Sequence, residues 1–452
     1  MNSILAGLFG LDTLSPPLIG VLGLVVVLLL FPFGIELAFA MTLVGFIGFS
    51  ILVNVDAGMS MLAKSFYDTF TSYGFTVIPL FILMGQVAFN AGIARRLYGA
   101  AYRFVGHIPG GLAMATVAGA TVFKAICGSS PATAATFSSV AVPEMDRYHY
   151  DRRLSAGVVA IVGTLGILLP PSVTLIVFGV ITQKSIGRLF LAGLVPGMLI
   201  AASFLLVIMV WCRINPALGP RGERSTWKQR AASLPESLFV LLVFLLVIGG
   251  LMKGFFTPTE AGSVGTAAVL LLAVGRGDFG VAKFVASINE SLRTACMVLM
   301  LIAGSTVLGT FLARTTIPMI AADWVTSLPL PPSVIMAIIC LIYLIGGSFV
   351  DDLAFMVLAT PIFFPAVERL GFDPYWFGAI IGVTVMIGVV IPPVAINVFV
   401  VRSITNASFG TIYRGILPFT IALIAIGVLL FAFPQIATFL PDALMPEGGP
   451  AM

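Results

Sequence analysis

Two adjacent carboxylates interrupt an apolar stretch of this sequence. Asp351 and Asp352 lie in the segment IGGSFVDDLAFMVLA. Acidic side chains are costly inside a membrane, and those that occur there usually serve a function. Carboxylate oxygens suit a hard cation such as sodium. The alternative interpretation is that one of them caps a helix at the membrane interface.

Hydroxyl side chains occupy the matching place in the first half of the chain. Ser129 and Ser130 lie 222 residues before the two aspartates, in the segment GSSPAT, which ends at Thr133. Hydroxyl and carbonyl oxygens at this place are also ligands for a hard cation. Packing of small residues between helices is the competing interpretation.

Paired prolines interrupt two apolar segments, again 222 residues apart. Pro170-Pro171 and Pro392-Pro393 each follow a glycine by four residues. Proline lacks the amide hydrogen and clashes with the preceding turn, so each pair should break a helix. A broken helix inside a membrane frees backbone carbonyls that can coordinate a cation. The carbonyls that we expect to be free lie near Gly166, Leu169, Gly388 and Ile391.

The two breaks belong to an internal repeat. The same offset of 222 relates further pairs of residues, namely Pro143 and Pro365, Asp151 and Asp373, Gly193 and Gly415, and Pro196 and Pro418. Two copies that each hold a broken helix are typical of transporters, whose sites lie where the breaks meet. We predict one repeat within 1–211 and one within 236–452, joined by a linker at 212–235.

Composition places these repeats in a membrane. Of the 452 residues, 59% are hydrophobic and only 9% are charged, whereas about a quarter are charged in a soluble domain. The sequence predicts an all-α polytopic protein of the bacterial inner membrane, embedded in the lipid bilayer. Re-entrant helical hairpins are expected at 128–143 and 347–366. Membrane spans are expected at 16–31, 34–54, 74–92, 110–127, 154–182, 189–211, 235–252, 259–274, 293–312, 332–346, 376–401 and 415–438.

Basic residues set the expected orientation. The linker carries Arg213, Arg221, Arg224, Lys228 and Arg230. Positive loops face the cytoplasm, so both termini should be periplasmic and the two repeats should be inverted. The net charge of +4 comes from such short loops and indicates no nucleic-acid partner. The four cysteines form no CxxC pair and only two histidines occur, which favours neither a disulfide nor a transition-metal site, and no cofactor is expected.

Four further residues have two interpretations each. Lys124 could meet a substrate carboxylate, or its long side chain could extend to the surface. Asn397 could reach the second break or only pack. Arg402 could pair with an anion or mark a cytoplasmic helix end. Glu260, in TPTEAG, fits a capping box with Thr257 and is interpreted as structural.

Several motifs together resemble one transporter family. The segments GSSPATAATFSSVAVPEM, LGILLPPS, TPTEAG and IGVVIPPVAIN look like the large membrane subunit of tripartite ATP-independent periplasmic (TRAP) transporters, of the dicarboxylate-uptake type. The resemblance covers about 18–433. It implies the ion-transporter superfamily fold and an elevator mechanism, in which a transport domain with two hairpins slides along a scaffold. It also implies sodium as the coupling ion, a periplasmic substrate-binding protein, and a separate small four-helix membrane subunit.

The resemblance also implies two sodium sites, and hence more than one sodium ion per substrate. The first would be formed by Ser129, Ser130, Thr133, Gly166, Leu169 and Pro171. The second would be formed by Asp351, Asp352, Gly388, Ile391 and Pro393. Lys124, Asn397 and Arg402 are the possible substrate contacts.

The expected function is uptake of a small organic anion, a C4-dicarboxylate or a related carboxylate. A stand-alone sodium- or proton-coupled anion carrier is one alternative. An intramembrane hydrolase that uses Asp351 or Asp352 is another. The internal repeat, and the lack of a nucleophile–histidine pair or an HExxH motif, favour a carrier over an enzyme.

Overall fold

The computed structural model describes residues 15–30, 33–277, 279–327 and 329–445. The chain termini, and with them the prediction of their periplasmic location, lie outside the described residues. The regular structure of the described residues consists of α-helices and short 3₁₀ turns, without a β-strand. Seven of these helices are long and apolar enough to cross a membrane.

The first half of the chain forms ten described helices. They are α1 (Pro16–Leu30), α2 (Leu37–Leu52), α3 (Val55–Thr71), α4 (Val77–Asn90), α5 (Ile93–Val105), α6 (Gly111–Lys124), α7 (Ser130–Arg147), α8 (Arg152–Thr164), α9 (Val173–Thr182) and α10 (Ile186–Ile214).

The second half forms ten more. They are α11 (Trp227–Met252), α12 (Pro258–Gly275), α13 (Val281–Arg314), α14 (Ile317–Ser327), α15 (Pro332–Phe349), α16 (Asp352–Arg369), α17 (Pro374–Gly388), α18 (Ile396–Thr405), α19 (Phe409–Ala432) and α20 (Gln435–Leu444).

Helix boundaries keep the 222-residue offset of the sequence repeat. Helices α7 and α16 match in this register at both ends, and α8 and α17 begin in it. The matched aspartates cap the latter two helices. Asp151 accepts a hydrogen bond from the backbone N–H of Arg153 at 2.7 Å. Asp373 accepts from those of Tyr375 and Trp376 at 2.8 and 2.7 Å. The same capping chemistry therefore starts the same helix in both repeats.

Both predicted helix breaks are present. A 3₁₀ turn at Leu165–Ile167 and the Pro170-Pro171 pair separate α8 from α9, and residues 389–395 with Pro392-Pro393 separate α17 from α18. Both Pro–Pro peptide bonds are cis. The predicted spans 154–182 and 376–401 are therefore each two half-helices, as the proline pairs indicated, because proline cannot continue the backbone hydrogen-bond ladder.

The predicted hairpin ranges need correction. Each of 128–143 and 347–366 contains a tip and most of a second arm, α7 or α16, but not a whole hairpin. The first arms are α6 and α15, which the sequence predicted as separate spans. Hydropathy cannot distinguish an apolar helix that turns back at its end from one that crosses the membrane. The complete hairpins are α6–α7 and α15–α16.

The linker is also shorter than predicted. Helix α10 continues to Ile214 and α11 begins at Trp227, so only twelve of the predicted linker residues, 215–226, lie between the two helices. A capping box starts α11, because Thr226 accepts from the N–H of Gln229 and the Gln229 side chain accepts from the N–H of Thr226. Polar residues at 228–230 hid this helix start from the hydropathy pattern.

The broken helices lie in the core of the protein. All residues from Leu154 to Thr164 in α8 and from Tyr375 to Gly388 in α17 are buried. A helix that is apolar on all sides must be surrounded by protein or lipid, and here α19 packs on α8 while α15 packs on α17. The first break is buried throughout, as irregular backbone at membrane depth requires, whereas Pro392 and Pro393 in the second break are exposed on the surface of this chain.

The two repeats exchange their half-helices. Helix α9 of the first repeat packs against α16, the second hairpin arm of the other repeat, and α18 packs against α7 in the same manner. We call α6–α9 with α15–α18 the hairpin group. Helices α2, α3 and α4 pack along α13, and α12 packs on α4 and α11. We call the six helices α2 to α4 and α11 to α13 the outer group. It contacts the hairpin group where α4 packs against α9 and where α13 packs against α16.

Candidate functional site

The second hairpin tip, residues 347–352, holds the two carboxylates. Asp351 occupies the position before α16, but its side chain makes no capping hydrogen bond. Asp352, only 6% exposed, accepts a hydrogen bond at Oδ2 from Thr174 Oγ1 at 3.1 Å. Helix capping is therefore an incomplete account of this pair, since Asp352 is hydrogen-bonded to a residue of the other repeat.

The first hairpin tip, residues 125–130, makes the corresponding contact. Asn397 Nδ2 donates to Ser130 Oγ at 3.1 Å and to the carbonyl of Ala160 at 3.3 Å. Ser129 caps α7 by accepting from the N–H of Ala132 at 3.4 Å. Small-residue packing is therefore an incomplete account of this segment, because both serines are hydrogen-bonded.

The two contacts are related by the repeat. Ser130 and Asp352 are each the first residue of a second hairpin arm, and Thr174 and Asn397 are each the second residue of a half-helix. Each tip is thus hydrogen-bonded to the half-helix that follows the break of the other repeat. A movement of one tip relative to the opposite half-helix would break a buried hydrogen bond.

The tip and the break of the same repeat also make close backbone contacts. A Cβ atom at Gly388 would lie 2.8 Å from the carbonyl carbon of Gly347, and the N–H of Val394 donates to the carbonyl of Ser348 at 3.1 Å. In the first repeat, a Cβ atom at Gly128 would lie 2.5 Å from the carbonyl oxygen of Pro171. Such approaches require glycine.

The second break offers free oxygens. The carbonyl of Gly388 accepts from the N–H of Ile391 at 3.2 Å. No donor among the described residues reaches the carbonyl oxygens of Ile391 or Pro393. With the Asp351 carboxylate, these are the oxygens in this repeat that a cation could use.

The first break is arranged differently, because a lysine fills it. Lys124 is fully buried, and its Nζ donates to the carbonyl of Ser129 at 2.7 Å. A Cβ atom at Gly166 would lie 2.2 Å from the same Nζ. The alternative in which this side chain extends to the surface is therefore wrong. Apolar neighbours in the sequence gave no indication that the side chain turns inward.

A cavity of about 280 Å³ joins the two tips to the outer group. Its lining comes from both tips, from α9 and from α4 and α13. The polar lining residues are Gln86, Ser129, Ser130, Thr174, Thr294, Asp351 and Asp352. Among the described residues, no lysine or arginine lines it. Binding of an anion here would therefore depend on hydroxyl groups, backbone N–H groups and a bound cation.

The other predicted substrate contacts lie outside this lining. Asn397 is buried and hydrogen-bonded to Ser130, but it does not line the cavity itself. The Arg402 guanidinium lies 3.9 Å from the ring centre of Phe409 and does not line the cavity. Glu260 closes the predicted capping box, accepting from the N–H of Thr257 at 2.8 Å.

Sequence reasoning missed the contribution of α4, α9 and α13 to the cavity. Thr174 lies three residues after the Pro170-Pro171 break, so its position in the sequence could have indicated that it belongs to the site. Gln86 and Thr294 gave none, because each is a single polar residue in an apolar helix whose orientation depends on tertiary packing.

Comparison with known proteins identifies the family. Residues 22–436 match the family model described as "Tripartite ATP-independent periplasmic transporter, DctM component". The chain belongs to this family. The resemblance seen in the sequence motifs is therefore confirmed. The family consists of transporters, so the alternative of an intramembrane hydrolase is wrong.

Curated relatives differ in substrate. The chain is 36% identical over 399 residues to the C4-dicarboxylate TRAP transporter large permease protein DctM of Pseudomonas aeruginosa, covering 87% of this chain and 92% of that one. It is 30% identical over 417 residues to the sialic acid TRAP transporter large permease protein SiaM of Vibrio cholerae, covering 92% and 96%. This TRAP large permease subunit is a multi-pass inner-membrane protein that works with a small permease and a periplasmic binding protein.

A solved structure shares the fold. The YdaH transporter of Alcanivorax borkumensis superposes with a TM-score of 0.56, covering 85% of this chain and 90% of that one, at 14% sequence identity. At this identity the similarity concerns the fold alone. It agrees with the predicted all-α polytopic membrane architecture.

We predict that Gly388→Ala separates the second tip from its break. The new Cβ would meet backbone of Gly347, which cannot rotate away, so we expect a loss of about 1–3 kcal/mol in the free energy of unfolding and reduced uptake. Gly427→Ala is the matched control, because its Cβ would lie 3.4 Å from the Val383 side chain, an ordinary contact. Detergent titration of both purified variants provides the measurement. Equal stability of the two variants would contradict the close backbone approach.

Proposed function

We propose that this chain is the permease of a sodium-coupled carrier for a small organic anion, a C4-dicarboxylate or a related carboxylate. A periplasmic binding protein would deliver the anion, and a separate small subunit of four helices would complete the membrane part. The observation that supports this proposal most is the cavity where both hairpin tips face α4 and α13. A substrate there would contact both repeats and the outer group at once.

Helix N-termini make this cavity suitable for an anion. The first turns of α7, α9 and α16 all contribute to its lining. The N-terminus of a helix carries a partial positive charge and free N–H groups, which attract carboxylates. The Ser129 hydroxyl adds a donor, because its oxygen accepts from Ala132, whereas Thr174 and Thr294 already donate to Asp352 and to the Glu290 carbonyl. These groups provide the anion contacts that the lining lacks in basic side chains.

Sodium would bind at the second repeat. The Asp351 carboxylate and the carbonyls of Ile391 and Pro393 are oxygen ligands of suitable hardness, and Gly388 and Asp352 complete the proposed site. Two carboxylates beside the cavity repel an anionic substrate across a region of low dielectric. A bound sodium ion would offset that repulsion. Coupling then follows, because the anion binds well only after the cation.

The exchange of half-helices supports an elevator mechanism. Hydrogen bonds and packing connect the hairpin group across the repeats, so these helices would move as one body. The outer group would remain in place, and the cavity lies between the two groups. We propose inverted repeats, a cytoplasmic linker and periplasmic termini, on the basis of the arginines and lysines in the linker.

We predict that uptake depends on sodium. The experiment reconstitutes the permease with its small subunit and binding protein in vesicles and measures uptake of C4-dicarboxylates and other small carboxylates. Replacing external sodium by potassium at fixed pH and voltage should abolish uptake, because the Asp351 and Asp352 charges are then not offset. Undiminished uptake driven by a proton gradient alone would contradict the proposed coupling.

We predict that Asp352→Asn raises the sodium concentration for half-maximal uptake, and that Asp352→Ala raises it further. Both variants lose the charge that attracts sodium, but asparagine retains an oxygen that can accept from Thr174. Asp146→Asn is the control, because Asp146 pairs with Arg152 at the protein surface. Sodium titrations of uptake in the same vesicles provide the measurement. An unchanged sodium dependence in both Asp352 variants would place the ion elsewhere.

A further inference from the structure

The Lys124 ammonium lies at the place expected for the first sodium ion. Its Nζ donates to the carbonyl of Ser129 at 2.7 Å and lies against the Cα of Gly166, where a Cβ would be only 2.2 Å away. Ser129 and Gly166 are two of the residues expected to surround that ion. One positive charge of this chain therefore already contacts both the tip and the break of the first repeat.

Two of the carbonyl oxygens around this place, those of Ser129 and Ile167, already have donors. The Ser129 carbonyl accepts from Thr133 Oγ1 at 2.9 Å in addition to Lys124 Nζ. The backbone N–H of Thr133 also donates to it, at 3.4 Å, so three donors share the two lone pairs of this carbonyl oxygen. The carbonyl of Ile167, within the break, accepts from Ser172 Oγ at 2.6 Å. A sodium ion would have to displace hydrogen bonds that are already made.

The second repeat has no equivalent of Lys124. Its counterpart at the 222-residue offset is Gly346, which has no side chain. Gly388, the counterpart of Gly166, faces the backbone of Gly347 and not an amine. Among the described residues, no donor reaches the carbonyl oxygens of Ile391 and Pro393, or those of their counterparts Leu169 and Pro171. The two repeats therefore share a backbone arrangement but differ in charge. An ammonium group lies at the first break, and no described residue brings one to the second.

Charge balance agrees with this difference. A buried ammonium is tolerated only near compensating charge and hydrogen-bond acceptors, and Asp352 attracts the Lys124 ammonium electrostatically. With both carboxyl groups ionised, Asp351, Asp352 and the ammonium carry one net negative charge. A single sodium ion at the second repeat would neutralise it.

We propose that the Lys124 ammonium is a tethered cation that occupies the first-repeat site, so that the carrier binds one sodium ion, at the second repeat. This inference rests on the proposed function for the second site, and it replaces the expectation of more than one sodium ion per substrate. Like a bound ion, the tethered charge stabilises the contact between the tip and the break. Because it is part of the chain, it stays on the protein when the substrate is released.

Counting bound sodium tests the inference. The full chain, purified with its small subunit, is equilibrated with radioactive sodium in a potassium background, as wild type, Lys124→Ala and Lys124→Met. Wild type should bind one ion. Lys124→Ala should bind a second, because the Ser129 carbonyl loses its closest donor and space opens beside Gly166. Lys124→Met should not, because its side chain still fills that space. In vesicles, the Hill coefficient of sodium-dependent uptake should rise from about 1 to about 2 in the alanine variant.

The outcomes separate the inference from the proposed function. Two ions bound to wild type, or no additional ion in a folded Lys124→Ala, would overturn the tethered cation. An equal gain in Lys124→Met would also overturn it, because the new ion would then lie outside the vacated space. If Lys124→Ala does not fold, the number of sodium ions bound to the wild type alone decides whether Lys124 replaces an ion. A wild type that binds no sodium would refute the second site, and the change on Lys124→Ala would still decide the role of Lys124.

Discussion

The exchange of half-helices between the two repeats is the constraint on which the site depends. Helix α9 packs on the hairpin arm α16, and α18 packs on α7, so neither repeat can form its tip alone. Buried hydrogen bonds from Thr174 to Asp352 and from Asn397 to Ser130 fix the exchange at the two tips. Loss of either partner would be costly, because it would leave a buried polar side chain without its hydrogen bond. Both tips therefore reach one cavity.

Much of this arrangement was predictable from the sequence. Proline pairs break helices for reasons of local chemistry, so Pro170-Pro171 and Pro392-Pro393 located both breaks. The 222-residue offset predicted the matched starts of α7 and α16, because a repeat preserves its caps. Hairpin arms were not predictable, since hydropathy is the same for a helix that crosses and for α6, which turns back. The contacts of Asn397 and Thr174 depend on packing between distant segments, which no local pattern reports.

The two repeats have diverged where ions would bind. Serines in the first tip correspond to aspartates in the second, and Lys124 corresponds to Gly346. In the sequence both breaks look equivalent, because the Gly and Pro-Pro pattern of their backbones is the same. Side chains alter that equivalence: in the first repeat they supply a positive charge, and in the second they supply two negative ones. An internal repeat is therefore good evidence for architecture and weaker evidence for equal ligand sites.

A double-mutant cycle across the repeats tests the half-helix exchange most directly. Ser130→Ala, Asn397→Ala and the double variant are unfolded by titration with a denaturing detergent, and their free energies of unfolding are compared. The account predicts a coupling energy of about 0.5–1.5 kcal/mol, the net contribution of a hydrogen bond. Effects that add to within about 0.3 kcal/mol, as for residues that do not touch, would contradict the contact between the first tip and the second-repeat half-helix.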